Sequence, residues 1–366
     1  MNQVASKSNI QIATLCVGFL GLQIGFALQA GNVTRILQNY GADLSQLSFF
    51  WLIAPLTGAC IQPLIGYFSD KWINSGKTRI PFIVLGGVLS IVALLVFPNA
   101  YLFMTLISPL LFGALLILIT DAGFNIMMHP LRATVSDYLS LEEQSKGFAV
   151  QTFLISIGAI VGSILPYILH QYFNLATTSI INHIPDNVKW SFYIGSLILV
   201  ICIIINVKAI ARYKPLVAAK ALESAEKTTF SILHIPSSMW KIGSIQFFSW
   251  SAFFLIWVYM TPAVAQQYYK EYNHGSSSLA YAEAANQTGI LFGIYHLSAC
   301  IVSLFLPFIY KKLNLINSHN IALLTGSIGL IWIFLAQDIN NLLFPMLLLG
   351  IAWASVLATP FVILSK

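Results

Sequence analysis

Ten times along the chain an apolar run long enough to cross a lipid bilayer ends in a polar or basic connection. A helix needs about 20 mainly apolar residues to span the hydrocarbon layer. The runs predict helices near 10–37, 45–69, 80–98, 101–131, 147–171, 190–210, 241–267, 286–310, 318–337 and 340–364. Only 8% of the 366 residues are charged and 58% are hydrophobic. Soluble domains carry about 25% charged residues, so the expectation is an all-α, multi-pass membrane protein. The first run is too long and too polar for a cleaved signal peptide. Cys16, Cys60, Cys202 and Cys300 all lie inside apolar runs, read as small buried hydrophobes, and no pair has zinc-ligand spacing.

The connections set orientation. Fifteen of the eighteen lysines and arginines fall on one side of the predicted bilayer, leaving Arg35, Lys189 and Lys270 for the other. The positive-inside rule then puts the N-terminus in the cytoplasm. Topology accounts for the net charge of +6, and nucleic-acid binding is not needed to explain it. The longest polar connection, 211–240, divides an N-terminal six-helix bundle (1–210) from a C-terminal set of four helices (241–366). Within it "AAKALESAEK" is expected to form a short amphipathic helix. An ungapped echo of Gly58–Lys71 in Ser298–Lys311 argues for two related halves, as in many transporters. On that reading the second half is two helices short, and the chain is expected to be a truncated protein or a ten-span variant.

One connection is denser in charge than the rest. "GYFSDKWINSGKTRIPFI" joins spans two and three through Gly66, Asp70, Lys71, Gly76, Lys77 and Arg79. Glycines permit close helix approach and a sharp turn. Asp70, at a helix end, can pair with a basic residue or a facing helix N-terminus. Such a turn can latch one conformation shut. Arg132 and Asp137 in "PLRATVSDYL" repeat that logic at the end of span four.

This loop resembles the loop 2–3 signature of the major facilitator superfamily. "GLQIGFALQAG", "FFWLIAPLTGACIQPLIGYFSDKWINSGKTRIPFI", "TDAGFNIMMHPLRATVSDYL" and "GIAWASVLATPFVILS" narrow the resemblance to its proton-coupled sugar symporters of the sucrose and glycoside (glycoside-pentoside-hexuronide) type. The resemblance implies a twelve-helix major facilitator fold, of which about ten helices are present, and an Asp70 that engages span eleven. Plant sucrose symporters also carry an arginine in span five. Phe148 to Leu169 has no basic residue, which widens the expected substrate to other disaccharides and glycosides.

Ionisable groups at membrane depth are costly and face a cavity or a partner. Asp121, Asn125 and Arg132 share a face of span four, with Asp121 about 16 Å from Arg132 along the axis. That places Asp121 near the midplane, where transporters hold substrates and coupling ions. Desolvation disfavours its charged form, so it can load and release a proton. The resemblance implies the same, since the family's span-four aspartate and asparagine form its proposed coupling and sugar-contact site. Gln29, Asn32 and Arg35 in span one are candidate sugar ligands, because amides both donate to and accept from hydroxyls. Gln62 and His296 join them as candidates. Phe26, Trp51, Trp250, Trp257, Tyr295 and Trp353 are candidate sugar-stacking rings, and His129, beside Pro130, reads as structural.

The expected function is secondary active transport, the uptake of a disaccharide or glycoside with a proton by alternating access. The proton is the coupling ion and no other cofactor is expected. Alternatives are a uniporter, a carrier of another neutral solute, and an inactive truncated transporter. No phosphate-binding glycine loop, HExxH pair or Ser/His/Asp set points to an enzyme. The expected setting is a monomer in a bacterial inner membrane, with the sugar and the lipid bilayer as its partners.

Overall fold

A computed structural model of the chain describes residues 7–103, 106–179, 183–216, 237–272 and 278–364. Among these residues every regular element is a helix. The spans are numbered α1 to α10. The first is bent, Asn9–Cys16 followed by Gly18–Asn39, and the second is Ile53–Asn74, entered through the short helix Leu47–Trp51. Then come α3 (Ile80–Val96), α4 (Pro109–Tyr138), α5 (Leu141–Phe173) and α6 (Asp186–Ala211). The last four are α7 (Ser237–Tyr269), α8 (Leu279–Leu313), α9 (Leu315–Leu335) and α10 (Leu343–Leu364). Nine spans are each long and apolar enough to cross a membrane, and the bent first pair makes a tenth. Large apolar side chains such as Leu56, Phe248 and Phe334 stand bare on the outside, as on a surface solvated by lipid. Cys60 is on that surface too, unlike the buried Cys16, Cys202 and Cys300, which corrects its reading as buried.

Several boundaries differ from the hydropathy reading for local reasons. The fourth span starts at Pro109, not 101, because Phe97–Phe103 winds as a 3-10 segment. Ser108 then caps the helix by accepting from Leu111 N–H. The fifth starts at Leu141, before its apolar stretch, where Glu143 accepts from both the N–H and the hydroxyl of Ser140. The first span bends by 42° at Val17. There Asn206 of α6 donates to the Leu15 carbonyl at 2.7 Å, and a side chain inserted into the helical ladder is a recognised cause of a kink.

Two apolar cores form. One runs from Ile12 to Ile210 and also takes in Val258; the other gathers Phe253 to Val356. Helix association in lipid relies on close packing at small residues. Gly158 and Gly162 of α5 show it, since a Cβ there would lie 2.4 and 2.7 Å from the Leu20 and Ile24 carbonyl oxygens of α1. Most of the 211–240 linker, including the expected amphipathic helix, lies outside the described residues.

Candidate functional site

The chain direction of the spans gathers Lys71, Lys77, Arg79, Lys146, Lys208, Arg212, Lys311 and Lys312 at one end of the bundle, its basic face. Deep between the ends sits a buried polar group. Gln29 of α1 donates its amide to Asp121 Oδ1 at 3.0 Å. Asn125, one turn along α4, donates to the Asp121 backbone carbonyl at 2.8 Å, and Gln62 of α2 donates to Asn125 Oδ1 at 2.6 Å. Asp121 is 1% exposed. Its Oδ2 and the Gln29 Oε1 have no partner among the described residues. Buried polar atoms are nearly always hydrogen-bonded, so these two oxygens mark a place that can take a proton or a hydroxyl. Beside them Phe26 and Phe124 lie 4.4 Å apart, centre to centre.

From this group a polar seam runs between α2 and α4 toward the basic face. Gly58, Gln62 and Gly66 advance in four-residue steps on α2, and Asp121, Asn125 and His129 do so on α4. A Cβ at Gly58 would meet the Asn125 amide, and one at Gly66 would come within 3.2 Å of His129 Nε2. The seam ends in the charged loop. Arg79, 5% exposed, donates from Nε to Asp137 Oδ2 at 2.6 Å and from Nη2 to Asp137 Oδ1 at 3.3 Å. It also reaches Asp70 at 2.6 Å and the Ser69 hydroxyl at 2.7 Å. Burial works against the guanidinium charge, but the hydrogen bond and charge of Asp137, then those of Asp70, outweigh it and raise Arg79 above its ordinary value. Gly76 turns the loop at φ +79°, a left-handed conformation that glycine adopts freely.

Two expectations about this loop are corrected. Asp137 takes Arg79, not Arg132, because residues five apart stand about 140° apart around a helix. Lys71 and Lys77 stay outside the ion-pair cluster, and Lys77 lies over the Trp72 ring at 4.0 Å. Asp70 does pair with a basic residue, as expected of a carboxylate at a helix end, and that residue is Arg79 at the start of α3.

The other candidate ligands are dispersed. Asn32 donates to the Leu28 carbonyl of its own helix. Arg35 is buried far from the basic face, where it donates to the Thr177 carbonyl, and its Nε and Nη1 have no partner among the described residues. Trp51 is engaged by Thr34, to which its indole donates at 3.0 Å, and stands edge-on to Phe254. His296 packs on Tyr295 at 4.4 Å, and no hydrogen bond joins it to the Asp121 group. Trp250, Trp257, Trp353, Phe253 and Tyr295 do come together, with neighbouring rings 4.9 to 6.4 Å apart. Sequence reasoning missed a seal at the end opposite the basic face. There Thr34 donates to the Val258 carbonyl, Tyr281 donates to Gln38, and Asn187 donates to Asn286. The signal was the set of polar residues Thr34, Arg35, Gln38 and Asn39 at the end of the first span, all of them buried.

A sequence model described as "Major Facilitator Superfamily" matches residues 15–366. The chain belongs to the Major Facilitator Superfamily. Among its curated relatives, the General alpha-glucoside permease of Schizosaccharomyces pombe is 26% identical over 72% of this chain and 50% of its own length. Sucrose transport protein SUC4 of Arabidopsis thaliana is 27% identical over 75% of this chain and 58% of its own. The chain thus spans about half the length of these relatives. The nucleoside transporter NupG, solved in a mutant form, superposes with a TM-score of 0.67 at 12% identity, over 97% of this chain and 82% of that one. The xylose transporter XylE from E. coli gives 0.62 at 16%, over 98% and 85%. Those identities speak for the fold alone. As a major facilitator, the chain is an integral multi-pass membrane protein from a family of transporters.

Proposed function

We propose that this protein is a secondary active transporter that carries a disaccharide or glycoside together with a proton. The carrying observation is Asp121: a carboxyl group buried at membrane depth, held by Gln29 through one oxygen and unpartnered at the other. The names of the curated relatives supply the substrate class. In this reading Asp121 loads a proton, and Gln29, Asn125 and Gln62 meet sugar hydroxyls. The cluster Trp250, Trp257, Trp353 and Tyr295 offers flat rings to the C–H faces of the sugar. The segments 1–210 and 241–366 act as two halves that rock about this level. In this reading the basic face is cytoplasmic, as the positive-inside rule has it, the sealed far end belongs to the inward-facing state, and the carrier works as a monomer in a cell membrane. The proton is its coupling ion.

The same Gln29–Asp121 bond favours a second reading, a uniporter in which Asp121 only ties α1 to α4. Sucrose- and maltose-induced proton uptake by cells expressing the chain separates the two. Alkalinisation of the medium by one sugar, lost in Asp121→Asn, supports symport. Sugar entry without proton movement, unchanged in Asp121→Asn, leaves the uniporter.

A further inference from the structure

We propose that His129 relays the coupling proton from Asp121 to the basic face. This rests on the symport reading above. His129 lies two four-residue steps beyond Asp121 on the same ridge of α4, about 12 Å along the axis. It occupies the seam between the buried carboxyl group and the Arg79–Asp137 latch. Its Nε2 faces Gly66, where the missing side chain leaves room beside the ring. Its Nδ1 is buried and has no partner among the described residues.

Buried polar atoms are nearly always hydrogen-bonded, so an unused imidazole nitrogen in such a seam marks a place that can take a proton. The second half supplies the contrast. Pro130 of α4 and Pro360 of α10 are both prolines inside a helix, and Thr359 stands where His129 does. Thr359 is hydrogen-bonded to both Ser355 and Tyr310. His129, at the same place, keeps an unused nitrogen.

Four charged groups face the imidazole: Asp70 from α2, Arg79 from the turn into α3, and Arg132 and Asp137 from α4. Two carboxylates and two guanidiniums thus surround the ring, and they join it to the charged loop at the basic face. The step conserves atoms and charge. The Asp121 O–H bond breaks and leaves the carboxylate. Water carries the proton to one imidazole nitrogen, and the other N–H gives its proton to water at the basic face. The ring returns neutral, in its other tautomer.

The test reconstitutes the full chain in vesicles with a trapped pH dye and uses sucrose and maltose as probes. Labelled-sugar exchange, which needs no net proton transfer, is read beside sugar-driven proton uptake. For His129→Gln, exchange is expected to persist while proton uptake slows by about 100-fold, the usual scale for losing a positioned proton carrier. His129→Glu, which restores a titratable group, is expected to recover uptake with its pH optimum moved to lower pH. If the wild type couples sugar to protons and His129→Gln is indistinguishable from it, the relay is wrong while symport stands. If His129→Gln loses exchange and uptake together and His129→Glu recovers neither, His129 is a packing residue and the relay is again overturned. A wild type that moves sugar without protons removes the symport reading and the relay with it.

Discussion

The Arg79–Asp137 pair is a buried, bidentate ion pair at the basic face, and its size can be worked out from its surroundings. Both side chains are almost fully buried, 6% and 3% exposed, and the pair is bidentate. Removing one partner of a buried pair strands the other charge, at a cost of about 3–5 kcal/mol. Arg79→Gln is therefore expected to destabilise the protein by about 3–5 kcal/mol. The lost bond to Asp70 adds only about 0–1 kcal/mol, since that carboxylate is 55% exposed and screened by solvent. Asp137→Asn leaves Arg79 with Asp70 and Ser69 and should cost less, about 1.5–3 kcal/mol for a hydrogen bond to a charged group. The double variant strands no charge, so it should fall short of the sum of the singles by about 2–3 kcal/mol. Denaturant titration in mild detergent, followed by tryptophan fluorescence, measures all four corners of the cycle. The sign with pH also follows. A group raised in the folded state loses its contribution only as pH climbs through that raised value, which for Arg79 lies above the working range. The coupling should thus hold at alkaline pH. Single-variant costs that add within about 0.5 kcal/mol would refute the pairing argument.

Other outcomes can be read from the same contacts. Thr34→Val removes both the donor to the Val258 carbonyl and the acceptor for the Trp51 indole. It should weaken the far-end seal by about 1–3 kcal/mol, seen as faster thiol labelling of Phe254→Cys in that background. Gly86→Ala would place a Cβ 2.5 Å from the Gly123 carbonyl oxygen. The α3–α4 contact must then open, at about 1–3 kcal/mol, measured as a lower denaturant midpoint. Gly76→Ala meets open space but must hold φ +79°, so about 1–2 kcal/mol of loop strain is expected, with the Arg79 cluster otherwise intact. Lys77→Ala, losing an exposed ring contact with Trp72, should cost only about 0.5–1 kcal/mol by the same titration.

The sequence was most legible where a rule acts along one helix. Span number and the approximate ends of most spans follow from hydropathy, because a helix in lipid must satisfy its backbone internally. Asp121, Asn125, Gln29 and Gln62 stood out as polar residues at membrane depth, and the fold brings all four into one group. What could not be read was which span faces which. Asp137 has equally plausible basic neighbours in sequence, and only the packing of α2, α3 and α4 selects Arg79 over Arg132. Arg35 shared a stripe with Gln29, yet two turns of helix carry it to the far end and the Thr177 carbonyl. Gln38 and Asn39 looked like residues leaving the membrane. Their burial depends on Tyr281 of α8 and on the His183 carbonyl, which lie far along the chain.

The internal echo explains why the two halves divide the work as they do. The ungapped register that matches Gly58–Lys71 with Ser298–Lys311 puts Tyr310 opposite Asp70 and, carried on, His319 opposite Arg79. In both halves the start of the third helix is tied to the fourth, and in the second half the end of the second helix is tied to it as well. The first half uses Arg79 on Asp137, and the second uses His319 on Ser355 and Tyr310 on Thr359. The geometry is repeated while the charge is not. A charged tie is costly to break once desolvated, whereas neutral hydrogen bonds exchange readily for water. The first half is therefore the stiffer body at the basic face, and it also carries Asp121. Under the proposed symport, a rigid frame around the buried carboxyl group would keep its Gln29 contact fixed while the aromatic half moves against it.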